Sequence, residues 1–202
     1  LDELRDFDPL FLENLDSEIF DNIVAVLGCK KSEIHDVYPL KQGLTNLSCH
    51  FATNDGEWVY RHPGVGTELL INRNAEKTAL ETARQLGLDD TFVFENARRG
   101  WKISKYIPHC KNLDAHDDSQ LEIAMVMARK LHESGAKVER SFSFYTEGKR
   151  YECMLKERGP IDVSDWQEMS SRADMLNNLI SAEAADPVLC HNDFFGLNFL
   201  VA

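Results

Sequence analysis

The chain is 202 residues long, 43% apolar and 28% charged, ordinary for a globular protein and enough for a substantial core in one domain or two small lobes. A net charge of −12 argues against a general nucleic-acid surface and suits a cationic substrate as well as simple solubility. No segment approaches the roughly 20 apolar residues that span a bilayer, so no membrane role is expected. Five scattered cysteines (Cys29, Cys49, Cys110, Cys153, Cys190) include no C-x-x-C pair. They argue against a disulfide framework or a zinc site, and for a reducing, cytoplasmic compartment. The start, Leu1-Asp2-Glu3-Leu4-Arg5-Asp6, is acidic, lacks the basic-then-apolar layout of a signal peptide and has no initiator Met, which leaves processing or trimming open.

From Pro9 to Leu27, the residues Leu15, Ile19, Ile23 and Leu27 keep helical spacing, with Gly28 as the stop. Val37 to Leu40, Leu47 to Ala52 and Trp58 to Tyr60 read as three short strands, and Asn54-Asp55-Gly56 is a hairpin signal between the last two. A helix is expected from about Glu68 to Leu86, ended by Gly87, then strands near Thr91 to Glu95 and Trp101 to Ile107. After Pro108 the pattern turns helical: Leu121 to Leu131, then one long polar helix or a pair over Val163 to Ala184. Strands with one helix, followed by helices, predict an α+β fold with a small antiparallel sheet lobe and a mainly helical lobe. The divisions read as an N-terminal helical segment 1–28, a sheet lobe 29–107 and a helical lobe 108–202, crossing over at Ser104 to Cys110.

The most informative stretch closes the chain: Leu189-Cys190-His191-Asn192-Asp193-Phe194-Phe195-Gly196-Leu197-Asn198-Phe199-Leu200-Val201. A polar loop sits between apolar flanks, with His191, Asp193 and Asn198 at the H-x-D-x-x-x-x-N spacing of a kinase catalytic loop. In that chemistry the Asp accepts a proton from an attacking hydroxyl and the Asn oxygen holds Mg2+ against nucleotide phosphates. Turn geometry alone also places Asp and Asn between strands, so the rest of the chain has to supply the other parts. Gln42-Gly43-Leu44-Thr45-Asn46 is a polar turn of the type that brings backbone N–H groups close to phosphates, with Gly43, Thr45 and Asn46 as candidates. Arg61 ends the third strand, where protein kinases carry a phosphate-contacting Lys paired with a helix Glu. Glu76 is the candidate partner, expected mid-helix, with Glu81 as its rival on a different face.

His191-Asn192-Asp193, with Asn192 where protein kinases have Arg, resembles the choline and ethanolamine kinases, which share the protein-kinase-like fold. Arg61-His62-Pro63-Gly64, then Gly66-Thr67-Glu68 with Ile71-Asn72-Arg73, and Asn74-Ala75-Glu76 resemble the bacterial choline kinases of the cell-surface phosphocholine pathway. The resemblance covers about Val37 to Ala202 and implies a bilobal fold, ATP and Mg2+ as cofactors, and a hinge at Lys105, Tyr106 and Ile107 beside the adenine. His191 is implied to brace the loop, and His132 to be structural. A small amino alcohol is the implied substrate, choline before ethanolamine, with aminoglycoside or thiamine kinases and a nucleotide-binding pseudokinase as alternatives. Choline kinases often dimerise, while these residues leave the oligomeric state open. The family's second metal-binding Asp and most of its choline pocket fall beyond Ala202, so the chain is expected to be the front part of the fold, inactive by itself.

Overall fold

The computed structural model describes residues 9–40, 46–64, 71–181 and 186–201. Helix α1 (Pro9–Leu27) ends as anticipated, with Gly28 at φ +69° donating its N–H to the Val24 carbonyl at 2.9 Å, a left-handed stop that glycine takes without strain. Strands β1 (His35–Leu40), β2 (Asn46–Thr53), β3 (Gly56–Pro63), β4 (Phe92–Glu95) and β5 (Lys102–Lys105) form one antiparallel sheet in the order β1-β2-β3-β5-β4.

The register decides which face each residue uses. Tyr60 lies opposite Ile103, and both point towards α1, whose Ile23 completes a core with Phe51 and Trp101. Each of these side chains contributes roughly 1.5–3 kcal/mol by leaving water. Tyr60 also stacks on Trp101 at 5.6 Å, and its hydroxyl accepts from Asn22 Nδ2 at 3.0 Å, so α1 and the sheet share one core. Strand side chains alternate, and the next matched pair, Arg61 opposite Lys102, therefore faces the other side.

Helix α2 (Arg73–Gln85) starts later than the sequence suggests. Asn72 is extended and its side chain accepts the Ala75 N–H at 3.1 Å, an N-cap that fixes the start. Residues 71 and 72 are not helical, and Glu76 stands in the first turn rather than mid-helix, where the helix dipole favours a carboxylate. Glu68 lies outside the described residues.

Beyond the sheet, β6 (Lys111–Asn112) pairs with β7 (Leu200–Val201). Helix α3 (Asp118–His132) is capped by Asp117, and α5 (Trp166–Ser181) lies within the predicted long segment. Helix α4 (Phe144–Arg158) was not anticipated. Its Glu152 takes Lys149, Lys156 and the Trp166 indole, while Asp174 of α5 takes Lys149 at 2.7 Å and the Tyr145 hydroxyl at 2.8 Å. A helix held by ion pairs carries little apolar periodicity to read. Ile123 and Val126 on α3, and Met175 and Leu179 on α5, are each at least 60% exposed, a surface of the kind that other protein surface covers. No helix among the described residues is long and apolar enough to cross a membrane.

Candidate active site

The His191-to-Asn198 loop is tied to residues Lys111 to Leu113. Lys111 pairs with Val201 and Asn112 with Leu200; the Leu113 N–H donates to the Phe199 carbonyl at 3.2 Å, and Asn112 Nδ2 to the Leu197 carbonyl at 2.8 Å. Gly196 makes the close approach possible, because a Cβ there would stand 3.0 Å from the Leu113 carbonyl oxygen. Gly196→Val is expected to push the loop off Leu113 and cost about 1–3 kcal/mol, measured by chemical denaturation alongside turnover. An unchanged midpoint with normal activity would show that the loop does not depend on this contact.

Inside the loop, Asn192 adopts φ +62°, a left-handed conformation that Asn tolerates better than most residues. Asn198 Nδ2 donates to Asp193 Oδ2 at 2.7 Å and to the Asp193 carbonyl at 3.0 Å. Both partners are acceptors, so the amide NH2 must face them and the Asn198 Oδ1 is turned elsewhere. The five-residue spacing thus brings Asp193 and Asn198 into direct contact. His191 stacks on Phe199 at 5.6 Å, and Phe194 meets Phe199 edge-on at 4.8 Å, a ring cluster that braces the loop.

On the sheet, Arg61 Nη2 lies 3.4 Å from Glu76 Oε1, and Lys102 Nζ lies 3.8 Å from that same oxygen. Arg73 Nη1 takes the other, Oε2, at 2.6 Å. Burial alone would raise the Glu76 pKa; the Arg73 hydrogen bond, with Lys102 and Arg61, overrides it and holds the carboxyl below its ordinary range. Burial lowers the pKa of Arg61 and of Lys102, in each case against the pull of Glu76. The rival Glu81 pairs with Lys77 at 3.8 Å instead.

Sequence reading missed Arg73, Lys102 and their neighbour Glu95, although Arg73 sits three residues before Glu76, within helical reach. Gly100 was a further signal. It stands at φ +77°, and a Cβ there would come within 2.9 Å of Arg73 Nε, so glycine leaves the guanidinium its room.

In the segment expected as a hinge, the Lys105 N–H donates to the Thr91 carbonyl at 2.8 Å and the Tyr106 N–H to the Glu57 carbonyl at 2.9 Å. Both amides are thereby engaged by the sheet. The Tyr106 ring meets His50 edge-on at 4.7 Å, and His50 stacks on Tyr38 at 4.4 Å while its Nε2 faces Glu57 Oε2 at 2.8 Å. Lys105 is exposed; Tyr106 and Ile107 are half-buried. Gly43 and Thr45 lie outside the described residues, as does the Asn46 side chain.

A cavity of about 670 Å³ joins Ile107, after β5, to His191 and Asn198 of the loop, between Leu80 of α2 and Met127 of α3. That volume falls in the range of small-molecule sites. Arg61, Glu76 and Asp193 do not line it.

No protein-family model matches the chain, and no curated protein does. Solved structures do. The choline kinase LicA from Streptococcus pneumoniae superposes with a TM-score of 0.74 at 25% identity, covering 93% of this chain and 64% of that one. A choline/ethanolamine kinase family protein from Mesorhizobium loti gives a TM-score of 0.64 at 22% identity, covering 92% of this chain and 60% of that one.

The chain has the fold of the choline and ethanolamine kinases it superposes on. It has the α+β, protein-kinase-like fold expected from its motifs, and spectinomycin phosphotransferase APH(9)-Ia shares that fold, with a TM-score of 0.55 at 13% identity over 92% of this chain and 65% of that one. LicA has also been solved in complex with AMP; that structure gives a TM-score of 0.73 at 24% identity over 91% of this chain and 63% of that one. The chain therefore spans less than two thirds of the length of the LicA chains it matches.

Proposed function

We propose that this chain forms the nucleotide-handling part of an ATP-dependent phosphotransferase acting on the hydroxyl of a small amino alcohol, with choline the favoured substrate. The observation that carries the proposal is the Asn198–Asp193 contact at 2.7 Å in a loop tied by the β6–β7 pair to Lys111 and Asn112. Asp193 is held by a neutral amide donor and stays available as a base. It would orient the substrate hydroxyl and take its proton as the bond to the γ-phosphoryl forms. Arg61, set by Glu76, would steady the α- and β-phosphates with a rigid guanidinium fork. The base would lie by Ile107, since the Lys105 and Tyr106 amides are engaged by the sheet. Placement and charge neutralisation then supply most of the rate gain.

The donor set fits a metal carried mainly by the nucleotide. Among the described residues no group of three His, Cys, Asp or Glu side chains could hold an ion. Mg2+ characteristically takes one or two protein oxygens and completes its shell with phosphates and water. Asn198 Oδ1 is the protein oxygen proposed for it, and bound Mg2+ would neutralise phosphate charge.

Choline is favoured by the Arg61-to-Glu76 motif and by the 25% identity with a choline kinase. The test is turnover of the complete protein with ATP and Mg2+ on choline, ethanolamine, an aminoglycoside and thiamine. Choline is expected to give the highest kcat/KM. Nucleotide binding without phosphorylation of any of the four would instead indicate a pseudokinase.

A further inference from the structure

The roles assigned above leave unused a carboxyl that is 1% exposed, Glu95 at the end of β4. Glu95 lies directly opposite Lys102 in the sheet register, yet Lys102 reaches towards Glu76; no donor meets either Glu95 oxygen, and the group within hydrogen-bonding reach of it is the Glu76 carboxyl, with which it can share a proton. A buried carboxyl that meets another carboxyl and no donor is costly to ionise and expensive to retain without a use. We propose that Glu95 is a positioning residue for the phosphate-directed cations: by gaining or losing a proton it sets the net charge of the Arg61, Arg73, Lys102 and Glu76 cluster, and with it the affinity for a nucleotide's phosphates. This rests on the nucleotide reading above.

Among the described residues, the charged groups around Glu95 and this cluster are Arg61 from β3, Arg73 and Glu76 from α2, Lys102 from β5, and Asp89 from the loop before β4. Among the described residues, these three cations against the Glu76 and Asp89 carboxylates leave one positive charge in surplus, suited to phosphate oxygens. Ionising Glu95 removes one unit of that surplus and gives Lys102 a second carboxylate to answer. Burial pushes the Glu95 pKa up to about 7, with Glu76 adding to the rise and Lys102 and Arg73 opposing it. Glu95 is therefore neutral below that pH and charged above it, so affinity for a phosphate chain falls as pH rises through neutrality.

The experiment is calorimetric titration of Mg-ADP into the complete protein, wild type and Glu95→Gln, between about pH 6 and 8.5. Titration of the ligand's own phosphates is common to both proteins. The wild type is expected to lose roughly fivefold more affinity over this range than Glu95→Gln, the effect of one extra charge in a partly screened site. Parallel profiles overturn the role of Glu95 and leave the nucleotide reading standing. Absence of binding by both proteins at every pH sinks the nucleotide reading itself, and the inference with it. Should Glu95→Gln fail to fold, a carboxyl-13C titration of the wild type decides the matter. A Glu95 midpoint near 7 is expected, and one in the ordinary glutamate range overturns the proposal.

Discussion

Asp193→Ala in the complete protein is expected to lower kcat roughly 10³-fold with little change in KM for ATP, the loss that follows removal of a positioned general base. Folding should survive. Asp193 is exposed, and the contact it loses is the one with Asn198, so the cost in stability is on the order of 1 kcal/mol. The loop remains tied through Asn112, Leu113 and the β6–β7 pair. Asp193→Asn separates two effects, because an amide oxygen can still accept from Asn198 but cannot take a proton. Activity near wild type in a folded Asp193→Asn protein would remove the base from the mechanism.

Glu76→Ala is expected to damage both stability and nucleotide use. Its carboxylate answers Arg61, Arg73 and Lys102 together, and truncating it leaves three half-buried cations facing one another. Removing one partner of a fully buried pair costs 3–5 kcal/mol; with Glu76 one-fifth exposed, about 2 kcal/mol is the appropriate scale. KM for ATP should rise on the order of tenfold as Arg61 loses its orientation. Glu76→Gln, which keeps an acceptor for Arg73, should fall between the two. Denaturation midpoints and a KM-against-kcat comparison check this; a Glu76→Ala protein with wild-type stability and KM would mean that the cluster is ornamental.

The N-terminal half of the fold was legible because its signals are local. Ile19, Ile23 and Leu27 repeat at helical spacing up to Gly28, and Asn54-Asp55-Gly56 marks the hairpin. The start of α2 was expected near Glu68, but Asn72 is extended and its side-chain cap sets the first helical residue at Arg73. Helix α4 was invisible for a different reason. Its most buried positions are Glu147 and Glu152, kept inside by Arg140, Arg150, Lys149 and Lys156. A hydrophobic pattern cannot report a helix packed through charges.

The site divides in the same way. Asp193 with Asn198 and Arg61 with Glu76 were readable because motif spacing names them. Lys102 and Glu95 were not, since an alternating strand says only that two residues share a face, and which face depends on the strands alongside. Only the register, Arg61 opposite Lys102 and Lys102 opposite Glu95, brings them into one cluster.

The most direct test is a crystal structure of the complete protein with a non-hydrolysable ATP analogue and Mg2+. The α- and β-phosphates should lie against the Arg61 guanidinium, the base beside Ile107, and the γ-phosphate within reach of a hydroxyl bonded to Asp193. A nucleotide seated elsewhere, or one whose phosphates meet Arg61 while Asp193 faces a separate surface, would contradict the account.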